Sequence, residues 1–217
     1  MSKAVLAYWD IRGLAQPIRL LLEYTGDEYE DTLYSCGPAP DFDKSCWFNI
    51  KQSVGLDFPN LPYYIEGDVK LTQSNAILRY IARKNDLCGK SEAEKWKVDL
   101  LAEQAMDFRN GIVHLSYNPN FESIKDNYLK SIKVKLVEFS NFIGENPWFT
   151  GQSITFADFV LYELMDQHRI LSPSLLDQFQ NLKEFLDRFE KLSPIATYMK
   201  SDRFIRRPIN NKMAAFK

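Results

Sequence analysis

The chain has 217 residues and a formal net charge of −2. That length supports one large domain or two small ones with ample core, and the balanced charge gives no electrostatic footprint for nucleic acid. Three cysteines, Cys36, Cys46 and Cys88, are odd in number and widely spaced, with no Cys-x-x-Cys pair. This argues against a disulfide framework or a zinc site and fits a reducing, cytoplasmic setting. The two histidines, His114 and His168, lack metal-ligand spacing, so no metal site is expected.

Residues 1–84 read as mixed α/β. The chain enters through Met1-Ser2-Lys3, and the apolar run Ala4–Tyr8 is too short for a signal sequence or a membrane span. Lys3–Trp9 reads as a short strand. Pro17 suits the first turn of a helix whose buried stripe is Ile18, Leu21 and Leu22, and Gly26 closes it. Glu28–Tyr34 reads as a second strand, and Cys36–Asp43, with Pro38 and Pro40, as a loop. Tyr63–Glu66 and Val69–Thr72 flank Gly67-Asp68, a hairpin turn signal. Pro62 stands at the first residue of its strand, where a missing N–H is tolerated and a cis bond is possible. Ser74–Lys84 is then a helix, with Ser74 expected as its N-cap. A helix mouth there offers free N–H groups and a positive dipole end to a carboxylate. On these residues alone an ordinary hairpin and capped helix stay equally open. The order βαβ, an irregular segment, then ββα is that of a thioredoxin-like domain with a mixed four-stranded sheet.

Past a linker at Asn85–Lys90 no strand is evident. Ser91-Glu92-Ala93-Glu94 is a capping box opening a long helix to about Tyr117, where Asn118-Pro119 ends it. Phe121–Gly144 is a second long amphipathic segment. Thr155, with Asp158 three residues on, opens another helix, and Ile154 can staple onto Phe159. Asn181–Leu192 gives a further one. From Lys200 onward six basic residues face one acidic residue, Asp202, which reads as a solvated tail. The fold expected is therefore α+β: residues 1–84 thioredoxin-like, then residues 91–217 all-helical.

Several stretches, taken together and in order, resemble the cytosolic glutathione transferases of the mu class. They are Tyr8-Trp9-Asp10-Ile11-Arg12-Gly13-Leu14, Pro17–Leu22, Gly37–Asp43, Gly55–Tyr63, Gln73–Ile77 and Pro147-Trp148-Phe149. The Gly37–Asp43 loop looks like the one that sets that class apart. The resemblance spans essentially the whole chain and implies a homodimer that conjugates reduced glutathione, a co-substrate rather than a bound cofactor, to small hydrophobic electrophiles. It matches Tyr8 to the catalytic tyrosine. Trp9, Trp47, Lys51, Asn60, Leu61, Gln73 and Ser74 match glutathione-binding positions, with Lys44 and Pro62 beside them. Asp107 matches an acid that reaches the glutathione of the neighbouring subunit. Matching positions for the electrophile are Ile11, Leu14, Met106, Asn110, Val113, Tyr117 and the tail near Ile209. Phe58 matches the residue inserted into the partner subunit.

The chemistry needs these residue types. A free thiol has a pKa of about 8.5, and only its thiolate is the nucleophile. A neutral phenol O–H can hydrogen-bond the charged form and lower that pKa. Lys44 and Lys51 can neutralise the glycine carboxylate, and Trp47 can donate its indole N–H. The Leu61 backbone can pair with the cysteinyl backbone as an added strand would. The sequence departs from the class at Lys44, often arginine there, and around Lys51 at Ile50 and Gln52-Ser53; a lysine lacks arginine's bidentate fork. A thiol oxidoreductase would need a cysteine near the first helix, and none precedes Cys36. A glutathione-dependent isomerase or a non-enzymatic carrier would share the fold; the intact Tyr8 and Ser74 favour catalysis.

Overall fold

A computed structural model describes residues 3–217; Met1 and Ser2, read above as part of the chain's entry, lie outside it. Its first half is a four-stranded sheet of β1 (Ala4–Trp9), β2 (Tyr29–Tyr34), β3 (Tyr63–Glu66) and β4 (Val69–Thr72). The spatial order is β2-β1-β3-β4. β1 runs parallel to β2 and antiparallel to β3, and β3 pairs antiparallel with β4. The parallel pair needs a crossover, which α1 (Gln16–Thr25) supplies. A one-turn α2 (Ser45–Phe48) precedes the hairpin, and α3 (Ser74–Lys84) follows it.

The hairpin and α3 fall where the turn and cap signals put them. One detail differs: Ser74 is the first helical residue and does not cap. Gln73 holds the cap position with φ of 70°, and its side chain makes no cap hydrogen bond. The positive φ swings Gln73 out of the strand direction and leaves Ser74 pressed inward, buried at the helix mouth.

The helical half comprises α4 (Glu92–Ser116), α5 (Phe121–Ile143), α6 (Phe156–Leu171), α7 (Gln180–Glu190) and α8 (Ser193–Lys200). α8 was not anticipated; it begins just after α7 ends, with Pro194 in its first turn. Both expected capping boxes form. At Ser91 the hydroxyl accepts the Glu94 N–H at 3.2 Å. At α6 the Asp158 carboxylate accepts the N–H groups of Thr155 (2.8 Å) and Phe149 (2.9 Å), tying the loop before the helix to its first turn. The linker is anchored too, since Leu87 accepts the Phe156 N–H at 3.0 Å.

α6 is almost wholly buried and packs against α1, α3, α4 and α7. One continuous core thus joins the two halves, from Leu6, Ile18 and Leu21 through Ile77 to Leu101, Phe108, Phe159 and Phe185. An ion network crosses the same junction. Arg12 forks onto Glu163 through Nε (2.9 Å) and Nη2 (2.6 Å), and Nη2 also reaches Asp166 at 2.6 Å. Arg12 and Glu163 are only 2% and 1% exposed. Asp166 passes the chain of contacts to Arg169, which also holds Glu190.

The expected solvated tail is instead folded against the body. Its basic side chains are exposed, but Ile209, Asn210, Asn211, Ala214 and Phe216 are buried. Ile209 and Phe216 pack with Ile112, Leu115 and Phe121. Pro208 and Ile209 accept the N–H groups of Arg12 and Gly13, both at 3.0 Å. Charge on one side of the segment concealed an apolar other side.

Candidate active site

Tyr8 stands near the carboxyl end of β1, where the strand gives way to the turn leading into α1. Its side chain is 6% exposed. Gly13, at φ of 43°, lies against the ring: a Cβ there would be 2.6 Å from Tyr8 Cε1 and 2.8 Å from the hydroxyl. Only glycine permits both that backbone conformation and that approach. Burial raises the Tyr8 pKa above the ordinary phenol value, opposed by the Leu14 N–H and by the charges of Arg109 and Arg19. The phenol therefore keeps its proton and is available as a donor.

Six residues expected to hold the peptide, Trp9, Lys44, Trp47, Lys51, Asn60 and Leu61, line one cleft of about 260 Å³ together with Phe48 and Asn211. Trp47 is buried between Tyr34 and Tyr63, whose hydroxyls meet at 3.0 Å. That aromatic packing fixes the floor of the cleft and leaves the two lysines on its rim. Among the described residues neither Lys44 nor Lys51 has an ion-pair partner. The Leu61–Pro62 bond is cis. The Leu61 N–H is held by Asn60 Oδ1 at 2.9 Å, so a ligand pairing there would have to displace that side chain.

A second, narrow recess lies beside Tyr8, where Gly13, Leu14, Ser74, Met106 and Arg109 come together. It brings the start of α3 and the middle of α4 to the tyrosine. Ile11 and Leu14 belong to the same cluster as Tyr8 and Trp47. Further along α4, Val113 is half-buried, Asn110 exposed, and Tyr117 exposed at its edge. The Tyr117 hydroxyl accepts the Asn211 N–H at 2.9 Å. Ile209 is fully buried behind this wall. Asp107 and Gln73 are exposed, and neither lines either recess.

Two residues were missed by the sequence reading. Arg109 sits three residues after Met106, one turn along the same face, with no ion-pair partner among the described residues. Burial lowers its pKa, opposed by Tyr8 and Tyr117. Asn211 was hidden in the basic tail. Among the described residues no group of three His, Cys, Asp or Glu could hold a metal ion, and no helix is long and apolar enough to cross a membrane.

A thioredoxin-like four-stranded sheet joined to a helical second half, with the buried phenol of Tyr8 near the end of β1, defines a two-part α+β architecture. Comparison with known proteins makes it specific. Residues 4–83 match the glutathione S-transferase N-terminal domain, and residues 106–202 the C-terminal domain. The chain is 55% identical over 212 residues to glutathione S-transferase Mu 1 of Homo sapiens, covering 98% of this chain and 97% of that one. It is 53% identical over 213 residues to Mu 3 of the same organism, covering 98% and 95%. Among solved structures, the glutathione S-transferase Blo t 8 superposes with a TM-score of 0.88 at 30% identity, covering 97% and 98%. The chain belongs to the glutathione S-transferases, and to their mu class. It is a transferase that uses glutathione.

Proposed function

We propose that Tyr8 is the catalytic residue and that its hydroxyl donates a hydrogen bond to the glutathione thiolate. The observation that carries this is the buried phenol beside Gly13, packed in one apolar cluster with Trp47 and Leu61 of the peptide cleft and Leu14 of the recess. A thiol lowered by about two units needs about 2.7 kcal/mol of differential stabilisation. A desolvated O–H···S⁻ bond, aided by the nearby guanidinium, is of that order.

The remaining roles follow from charge. Lys44 and Lys51 take the glycine carboxylate, with Trp47 donating its indole N–H and Asn60 and Trp9 closing the sides. Leu61, set by Pro62, pairs with the cysteinyl backbone. Ser74 and Gln73 receive the γ-glutamyl carboxylate at the first turn of α3, where N–H groups are free. Asp107 neutralises the ammonium of the glutathione bound to the partner subunit. The electrophile lies against Ile11, Leu14, Met106, Val113 and Tyr117, with Asn110 and Ile209 at its margin, and becomes joined to sulfur as its leaving group departs.

The protein acts as a homodimer in the cytoplasm. Phe58 is 78% exposed. An apolar recess of about 230 Å³, formed by Leu100, Leu101, Gln104, Lys135, Phe139 and Phe142, lies open on α4 and α5. A twofold axis would seat each Phe58 in the other subunit's recess, burying a large apolar ring twice over. The free thiols Cys36, Cys46 and Cys88 suit a reducing compartment.

The test is the ultraviolet absorbance of bound glutathione thiolate against pH, with conjugation to a chloronitrobenzene measured in parallel. Tyr8→Phe is expected to raise the bound thiol's pKa by about two units and lower kcat by about a hundredfold. Unchanged values in both would remove Tyr8 from the mechanism.

A further inference from the structure

The turn at residues 10–14 surrounds the Tyr8 ring, and two buried arginines hold it. Arg19, fully buried, donates to the Ile11 carbonyl at 2.8 Å and to Asp31 at 2.7 Å, both within the sheet-bearing half. Arg12 reaches the other way. Its guanidinium forks onto Glu163 of α6 and touches Asp166, while its N–H and that of Gly13 donate to the Pro208 and Ile209 carbonyls. Gly13, the next residue, packs against the Tyr8 ring and hydroxyl, and the Leu14 N–H acts on the phenolic oxygen. Glu163 also lines the recess that contains Gly13, Leu14 and Arg109. The route from the α6 carboxylate to the phenol is thus Glu163, Arg12, Gly13, Tyr8, each step a contact or a peptide bond.

Stability alone does not account for a buried ion pair here, since such pairs can often be replaced by apolar side chains without loss of stability. The distinctive property of the pair is direction. A bidentate guanidinium–carboxylate fork fixes distance and angle together, and a close-packed interior transmits a displacement rather than absorbing it. We propose that Glu163 is a positioning residue for the transfer reaction: through Arg12 it sets the turn that presses on Tyr8, and so aims the phenolic O–H at the glutathione sulfur. The inference rests on Tyr8 donating to the thiolate, and it identifies what holds that donor in place.

The test titrates the ultraviolet absorbance of bound glutathione thiolate in the wild type and in Glu163→Gln, which keeps the side chain's size and removes its charge. The affinity of S-methylglutathione, which has no thiol to ionise, is measured by calorimetry, and Tm by thermal unfolding. Misaiming the O–H is expected to raise the bound thiol's pKa by about one unit, lowering the thiolate fraction about tenfold at pH below both values. S-methylglutathione affinity should be retained although Tm falls. Phe185→Leu, in the core around α7, is the destabilised control and should lower Tm without moving that pKa. In a Tyr8→Phe background, Glu163→Gln should move it no further. Should Glu163→Gln not fold, Asp166→Asn, which removes one contact with Arg12, carries the same expectation at about half a unit. An unchanged pKa in the folded variant would overturn the proposal. So would a lowered one, because removing a carboxylate that acted only by its charge favours the thiolate. An equal rise in the Tyr8→Phe background, or in Phe185→Leu, would overturn it too. If Tyr8→Phe alone leaves the pKa unmoved, the reading of Tyr8 fails as well; if it moves the pKa and Glu163→Gln does not, only the positioning role fails.

Discussion

Gly13 and Tyr8 are built around one another: a methyl group on Gly13 would stand 2.8 Å from the phenolic oxygen, at a backbone φ of 43°. The turn after β1 therefore defines the space available to the hydroxyl. Gly13→Ala forces the ring or the turn to move. The expected result is a loss of about 1–3 kcal/mol in stability from the strained backbone and a kcat reduction of at least tenfold. Urea unfolding and steady-state kinetics would check the two separately. Wild-type kcat in a folded variant would show that the close approach does not position the hydroxyl.

Lys51 lines the rim of the peptide cleft without a carboxylate partner of its own. Lys51→Ala is expected to weaken glutathione binding by about tenfold, the scale of one charge-assisted hydrogen bond. The kcat at saturating glutathione should barely change, because the contact is the same in ground and transition states. Calorimetry with glutathione alone, followed by kinetics, separates these effects.

Phe58 is 78% exposed in the single chain, so truncating it removes little intrachain packing. Phe58→Ala should leave the far-ultraviolet spectrum intact and destabilise the dimer by about 2–4 kcal/mol, as for an interface anchor. Sedimentation velocity across a dilution series measures this directly. A dimer as tight as the wild type's would place the interface elsewhere.

His168 supplies a pH dependence. Its ring is fully buried, stacked on Phe108 at 4.2 Å. Nδ1 faces the Leu164 carbonyl and Nε2 the Tyr128 hydroxyl, each at 2.7 Å. The carbonyl requires the proton on Nδ1, so Nε2 accepts from Tyr128. Burial lowers the pKa to about 4, opposed by the Leu164 carbonyl, from 6.5 in the open chain. Between those values the unfolded chain binds a proton that the folded one does not. The associated stability is complete above pH 6.5 and is lost as pH falls toward 4, amounting to about 2 kcal/mol near pH 5. Urea midpoints near pH 7.5 and pH 5 should differ less in His168→Gln than in the wild type. Equal differences would mean that His168 titrates normally.

Local signals carried much of the first half. Gly67-Asp68 marked the hairpin, Gly26 the end of α1, and Ser91 and Thr155 the starts of α4 and α6, because each acts through its own backbone neighbours. Tyr8, Lys44 and Trp47 carried no such signal. Their convergence depends on sheet pairing and on the α2 segment, and only the resemblance to a family drew them together in advance. Arg109 carried no local signal, because an arginine within a long helix reads the same whether it faces solvent or, as in this fold, Tyr8. The tail misled for the converse reason. Ile209, Ala214 and Phe216 follow no helical or strand period, so nothing local distinguished a packed strap from a loose basic end. Ser193-Pro194 was a legitimate helix start that the short interval after α7 obscured.

The Arg12 fork onto Glu163 and Asp166 has a bearing on how the molecule comes apart. Arg12 belongs to the sheet-bearing half and both carboxylates to α6. Separating the halves would strip a buried guanidinium of its counterions, and breaking such a pair costs about 3–5 kcal/mol. A species with one half folded and the other undone would carry that penalty along with the exposed apolar junction. The two halves are thereby coupled into a single cooperative unit, which melts in one transition rather than two.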